Sequence, residues 1–133
     1  MVHTAKMKTQ TLRQLGGDYA VARLAADLPI PDWADGEGFV SISRTDEELS
    51  ITCLAARVPA DVQSSGPWRC FKLQGPFAFD EYGILLAIVR PLSEAGLGVY
   101  VVSSYDTDHL LLLQSVAERG IELLEAAGHR VLR

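Results

Sequence analysis

A chain of 133 residues with 48% apolar and 22% charged side chains holds one compact domain, or two very small ones sharing a core, and leaves no room for long disorder. Its formal charge of −5 argues against wrapping nucleic acid or coating an anionic membrane by bulk electrostatics. No apolar run approaches the roughly 20 residues of a bilayer-spanning helix, and Met1 to Gln10 lacks the apolar centre of a secretory signal, so a cytoplasmic location is expected.

Lys6, Lys8 and Arg13 near the start are too sparse to suggest a basic patch and read as a solvated edge. Thr9 to Leu15 and Tyr19 to Leu24 read as two short strands, with one helical turn as the alternative for the second. Pro29 and Pro31 force a loop that Trp33 can anchor. Phe39–Ser43 and Leu49–Cys53 form a hairpin around Arg44 to Glu48. Val58 to Gly66 is polar and contains proline, which places a boundary there: an N-terminal unit over residues 1–66 and a C-terminal unit over 67–133.

Trp68 to Leu73 alternates as a sheet strand should, and Gly75-Pro76 breaks it. Asp80 is a fitting N-cap for a helix from about Gly83 to Glu94, with Ile84, Ile88, Leu92 and Ala95 as its apolar stripe. Pro91 conflicts with that helix, because it removes one backbone donor. Gly98–Ser103 is a strand, Ser104 to Asp108 a polar turn, and Leu110–Gln114 the returning strand, apolar enough for burial on both faces. Ser115 then caps a helix that Gly128 ends, and Val131-Leu132 adds a last short strand. The order is β-α-β-β-α-β, the split arrangement of an α+β ferredoxin-like fold. At a shift of 60 positions Ser43 falls on Ser103, Asp46 on Asp106 and Ile51 on Leu111, so hairpin falls on hairpin. That supports two tandem half-repeats, the first lacking a full helix.

Cys53 and Cys70 sit in apolar strand-like runs and read as reduced core residues without neighbouring metal ligands. No glycine-rich phosphate loop, no Gly-x-Ser-x-Gly elbow and no Cys/His signature occurs. His3 lies in the terminus, His129 follows a helix end where a cation is favoured, and His109 borders a strand as a hydrogen-bonded surface residue. No enzyme and no cofactor are expected. Asp106, Asp108 and His109 lack the glycine and bidentate glutamate of a calcium loop, so no metal is expected. Locally, Asp80 can cap its helix while Asp106 and Asp108 fix their turn.

Several segments together resemble a family of small tandem ACT-like proteins. They are Trp33, Ser43–Ser50, Trp68, Gly75-Pro76-Phe77, Gly83-Ile84-Leu85, Pro91–Gly96 and Ser103–Asp108. The same subtype is similar to the regulatory portions of aspartate kinases and to the cytosolic arginine sensors of animal TOR signalling. The resemblance implies a non-catalytic regulatory domain that binds a small metabolite, most often an amino acid, where a strand-to-helix loop meets a neighbouring domain. Glu81 and Gly83 match the loop positions around the ligand, and Ser104, Tyr105 and Asp108 match the turn at its other end. Backbone donors of Tyr82, Gly83 and Ile84 at the helix start suit a carboxylate. One pair of half-repeats, where the sensors have two, implies a homodimer. The alternative is a ligand-free dimerisation or protein-interaction module, in which Tyr82 and Tyr105 are interface anchors.

Overall fold

The computed structural model describes residues 9–74 and 83–133. Eight strands and two helices follow in the order β1 (Thr11–Gln14), β2 (Tyr19–Leu24), β3 (Ser41–Arg44), β4 (Leu49–Leu54), β5 (Ser64–Leu73), α1 (Ile84–Glu94), β6 (Tyr100–Ser103), β7 (Asp108–Leu113), α2 (Gln114–Ala126) and β8 (Arg130–Leu132). The ferredoxin-like order is present in full from β5 to β8. Tyr19–Leu24 is a strand, paired along its length with β4.

β5 organises the sheet. β7 pairs along one of its edges, and both β1 and β2 pair antiparallel along the other. β1 lies opposite the C-terminal half of β5, from Leu12↔Leu73 to Gln14↔Phe71, whereas β2 lies opposite its N-terminal half, from Tyr19↔Trp68 to Ala22↔Ser64. Gly17, at φ 84°, makes the break between them, and Leu54 Cδ2 stands only 3.0 Å from where a Cβ would be. β4 and then β3 extend the sheet beyond β2, β8 lies beyond β1, and β6 beyond β7. The expected division at residue 66 therefore falls inside a strand that both halves use. Ser64 and Ser65 look like polar loop in the sequence but find backbone partners on β2. β1 also departs from expectation: it inserts between β5 and β8, antiparallel to one and parallel to the other.

That insertion follows from burial. Leu12 is fully buried with Phe71, Leu73, Leu110, Leu112 and Val131 beneath the apolar stripes of α1 and α2. At Gly120 of α2 a Cβ would come within 2.5 Å of Leu112 Cδ1, so glycine sets how closely the helix approaches β7. On the opposite face Tyr19, Cys70 and Leu111 form a second cluster with Phe39, Leu54, Trp68 and Tyr100. The N-terminal half folds over this face: Thr52 Oγ1 on β4 lies 3.4 Å from Tyr100 Oη on β6, and Phe39 N donates to Tyr19 Oη at 3.0 Å. β7 is thus covered by helices on one side and by the first half on the other, which accounts for its unbroken leucine run.

The first half has only short 3-10 turns at Asp32–Ala34 and Ala55–Arg57 where the second has helices. Trp33, Val40, Val58 and Val62 pack instead on a small cluster of Ala22, Ala34, Leu49, Ile51 and Cys53. Arg57 straps the covering loop, donating from Nε to Trp33 O at 3.0 Å and from Nη1 to Glu37 O at 2.8 Å. Among the described residues no helix is long and apolar enough to cross a membrane.

Pro91 lies inside α1 without ending it. In a helix the N–H of position 91 would donate to Ala87 O, and proline has none. His129 fills the gap: its Nε2–H donates to Ala87 O at 2.9 Å, while its Nδ1 accepts from Gln10 N at 3.0 Å. Those two bonds fix the tautomer. His129 is accordingly a buried clamp between α1, β1 and β8, not a surface cation at a helix end.

Candidate functional site

The C-terminal end of β5 gathers the chain reversals that bear on a site. Thr107 Oγ1 is buried and donates to Leu73 O at 2.8 Å, which pins the β6–β7 turn to the last residue of β5. Ser104 closes the turn, its N and its Oγ both donating to Thr107 O at 2.9 Å. α1 starts at the same end. Ala87 in its first turn is tied through His129 to β8 and β1, and Gln74 N, just past β5, donates to Thr11 O.

Gly83 occupies the N-cap position of α1 in the left-handed conformation, at φ 79°, with no side-chain cap bond. Glycine adopts that conformation without strain. The first intrahelical bond runs from Ala87 N to Gly83 O at 3.0 Å. The N–H groups of Ile84, Leu85 and Leu86 therefore have no intrahelical acceptor and carry the positive end of the helix dipole. Ile84 is half-buried on the helix-side core and fixes this terminus. Asp80, the expected cap, and Glu81 and Tyr82 lie outside the described residues; α1 begins at Ile84 with Gly83 before it. Ser115 is not the cap expected of it: α2 begins at Gln114, and Leu113 precedes it.

Of the expected site residues, Gly83 and Ile84 thus stand at the α1 start, and Ser104, Tyr105 and Asp108 at the turn. Tyr105 is 80% exposed, and Asp108 is half-buried at the first position of β7. The carboxylates of Asp106 and Asp108 make no hydrogen bond among the described residues; the turn is fixed by Ser104 and Thr107 instead. Thr107 and His129 are the positioning residues that the sequence reading missed. Pro91, four residues after Ala87, is the signal that an outside donor is needed there.

His109 does not turn toward Asp106 and Asp108. It is buried, stacked on Phe39 with ring centroids 3.8 Å apart and planes 16° from parallel, and its Nδ1 has no hydrogen-bond partner. It is therefore not a hydrogen-bonded surface residue. Burial, with help from the Lys72 charge, pushes its imidazole down to about 4 against an opposing pull from Asp108. The ring is thus a neutral packing element between the layers, held against Phe39 and away from solvent. Cys53 and Cys70 are buried free thiols, and burial pushes Cys70 up to about 12, far from a reactive thiolate.

Two clefts among the described residues lie at the other end of β5. One, of about 270 Å³, is lined by residues including Ala20, Val58, Ser64 and Pro67. The other, of about 440 Å³, is lined by Gly66, Pro67, Leu113, Gln114 and Ser115. Neither has an ionisable side chain in its wall. For a charged metabolite, the end that offers the first N–H groups of α1 and, among the described residues, unengaged carboxylates is the better chemistry.

A βαββαβ unit with a helix start and a pinned hairpin turn at one end of its sheet is the architecture of a ferredoxin-like domain. The ACT domain family model matches residues 63–126, and a model of an N-terminal domain matches residues 17–61. Residues 63–126 thus form an ACT domain. The human and bovine cytosolic arginine sensor for mTORC1 subunit 1 are each 33% identical to it over 94 residues, which is 67% of this chain and 27% of theirs. The chain thus spans about a quarter of the length of those relatives. A crystal structure of an Agobacterium tumefaciens protein shares 54% identity with a TM-score of 0.89, covering 94% of this chain and 93% of that one. Clostridium acetobutylicum aspartate kinase shares the fold at 10% identity and a TM-score of 0.62, over 87% of this chain and 33% of the kinase.

Proposed function

We infer that this chain is a non-catalytic regulatory domain that binds a free amino acid at the C-terminal end of β5, beside an interface between two copies in the cytoplasm. The observation that carries the reading is the pairing of opposite chemistries at that end. The N–H groups of Ile84 to Leu86, which have no intrahelical acceptor, suit an α-carboxylate, and Asp108, with no hydrogen bond or ion pair among the described residues, suits an ammonium or guanidinium. Glu81, Tyr82, Gly83, Ser104 and Tyr105 complete the site in this reading. The likeness to cytosolic arginine sensors supports the ligand class and the compartment. In this reading the 1–66 and 67–133 division separates two functional halves that share β5, the second of which carries the ligand.

The test is a thermal-shift screen against the twenty amino acids at millimolar concentration. Ligand at about 100 times its Kd stabilises by roughly 2.7 kcal/mol. One amino acid is expected to raise the Tm selectively, and Asp108→Ala is expected to abolish the rise. A flat response to all twenty contradicts the reading.

One observation favours a second reading, ligand-free pairing. Of the outer strands, β3 carries Arg44 and β8 carries Arg130, while β6 has no charged residue to discourage edge pairing. Sedimentation of ligand-free protein as a dimer, together with a flat ligand screen, would favour it.

A further inference from the structure

Most arginines of the described chain are engaged. Arg23, Arg44 and Arg57 donate to backbone carbonyls, and Arg69, Arg90 and Arg133 pair with carboxylates. Arg13, Lys72, Arg119 and Arg130 do neither among the described residues, and the sheet brings Arg13, Lys72 and Arg130 together. Arg13 lies directly opposite Lys72 across β1 and β5, and Arg130 on β8 lies opposite Thr11, two positions along β1. Leu12, Val131, Phe71 and Leu73 face the helices, so strand alternation turns Arg13, Lys72 and Arg130 to the other face, where all three are exposed.

Like charges directly opposite one another destabilise a sheet. Among the described residues no carboxylate relieves this pair: the next residues across are Leu132 beyond Arg13 and His109 beyond Lys72. An exposed cationic row of this kind is an exception in a chain of net charge −5. The row ends at β8, which pairs only with β1 among the described strands and leaves its outer backbone edge open. The Lys6, Lys8 and Arg13 reading of the N-terminus missed this patch, because Lys72 and Arg130 come from strands distant in sequence.

We propose that the face formed by Arg13, Lys72 and Arg130 docks an extended, carboxylate-rich segment of a partner protein. The carboxylates neutralise the cations, and the extended backbone has the open β8 edge beside it.

The test uses the full chain and a fluorescein-labelled decapeptide of alternating glutamate and threonine, followed by fluorescence anisotropy at low salt, with a DNA oligonucleotide of equal charge as the competing ligand class. The peptide is expected to bind, and to weaken as salt rises. Lys72→Glu gives Arg13 an opposite charge across the strands, so it is expected to keep or raise the Tm while weakening the peptide by about tenfold or more. Arg119→Glu, on the outer face of α2, makes the same change in net charge and is expected to leave affinity within about twofold. Absence of peptide binding, binding of DNA but not peptide, or equal weakening by Arg119→Glu would each overturn the proposal.

Discussion

The His129 clamp makes a sharp prediction because its role depends on a proline 38 positions away. His129→Leu keeps most of the buried volume but leaves two backbone groups without partners, Ala87 O and Gln10 N–H. A buried polar group stranded in this way costs about 1–3 kcal/mol. The variant should therefore lose about 3 kcal/mol, seen as a fall in Tm of roughly 10 °C for a domain of this size. Pro91→Ala restores an N–H that can reach Ala87 O within the helix. In that background only Gln10 N–H is stranded, and the cost of His129→Leu should shrink by about 1–2 kcal/mol. Urea unfolding of the wild type, both single variants and the double variant measures this coupling. Equal cost in the two backgrounds would refute the argument that His129 stands in for the amide that proline lacks.

Other consequences are as definite. The folded-state pKa of His109, about 4, lies below its ordinary 6.5, so the unfolded chain takes up a proton that the native state refuses. Stability should be full above about pH 6.5 and fall by about 3 kcal/mol as pH drops toward 4, and His109→Phe should remove that part of the slope in urea melts. Gly120→Ala gains helix propensity on α2 yet drives a methyl against Leu112 Cδ1 at 2.5 Å; overpacking should win, with a net loss of about 1–2 kcal/mol in thermal melts. Thr107→Val strands Leu73 O and frees the β6–β7 turn, which should cost about 1–2 kcal/mol and weaken ligand binding more than a distant change of equal cost.

Local patterning made the second half legible. Alternation across Trp68–Leu73, the α1 stripe of Ile88 and Leu92, and the polar turn before Leu110 each appear where expected, because each signal spans only a few neighbouring residues. What escaped depends on pairings distant in sequence. β1 inserts beside β8 across more than a hundred residues, and Ser64–Ser65 becomes strand only because Val21 and Ala22 lie opposite. The three cations of the patch meet for the same reason. His109 and His129 read as surface groups because their neighbours in sequence are polar, while Phe39, Ala87 and Gln10, which bury them, come from elsewhere in the chain. At the site, the turn and the helix start were legible from Ser104 to Asp108 and from Gly83. The groups that hold them in place, Thr107 and His129, were not, since each acts on a carbonyl in another element.

The most direct test of the central claim is amide chemical-shift mapping during titration with the amino acid selected by the thermal screen. Binding at the end of β5 predicts the largest perturbations at Ile84, Leu85 and Leu86 and at Ser104 to Asp108, with Asp108→Ala erasing both sets. Perturbations centred instead on Gly66, Gln114 and Ser115 at the other end of the strand, or none at millimolar ligand, would contradict it.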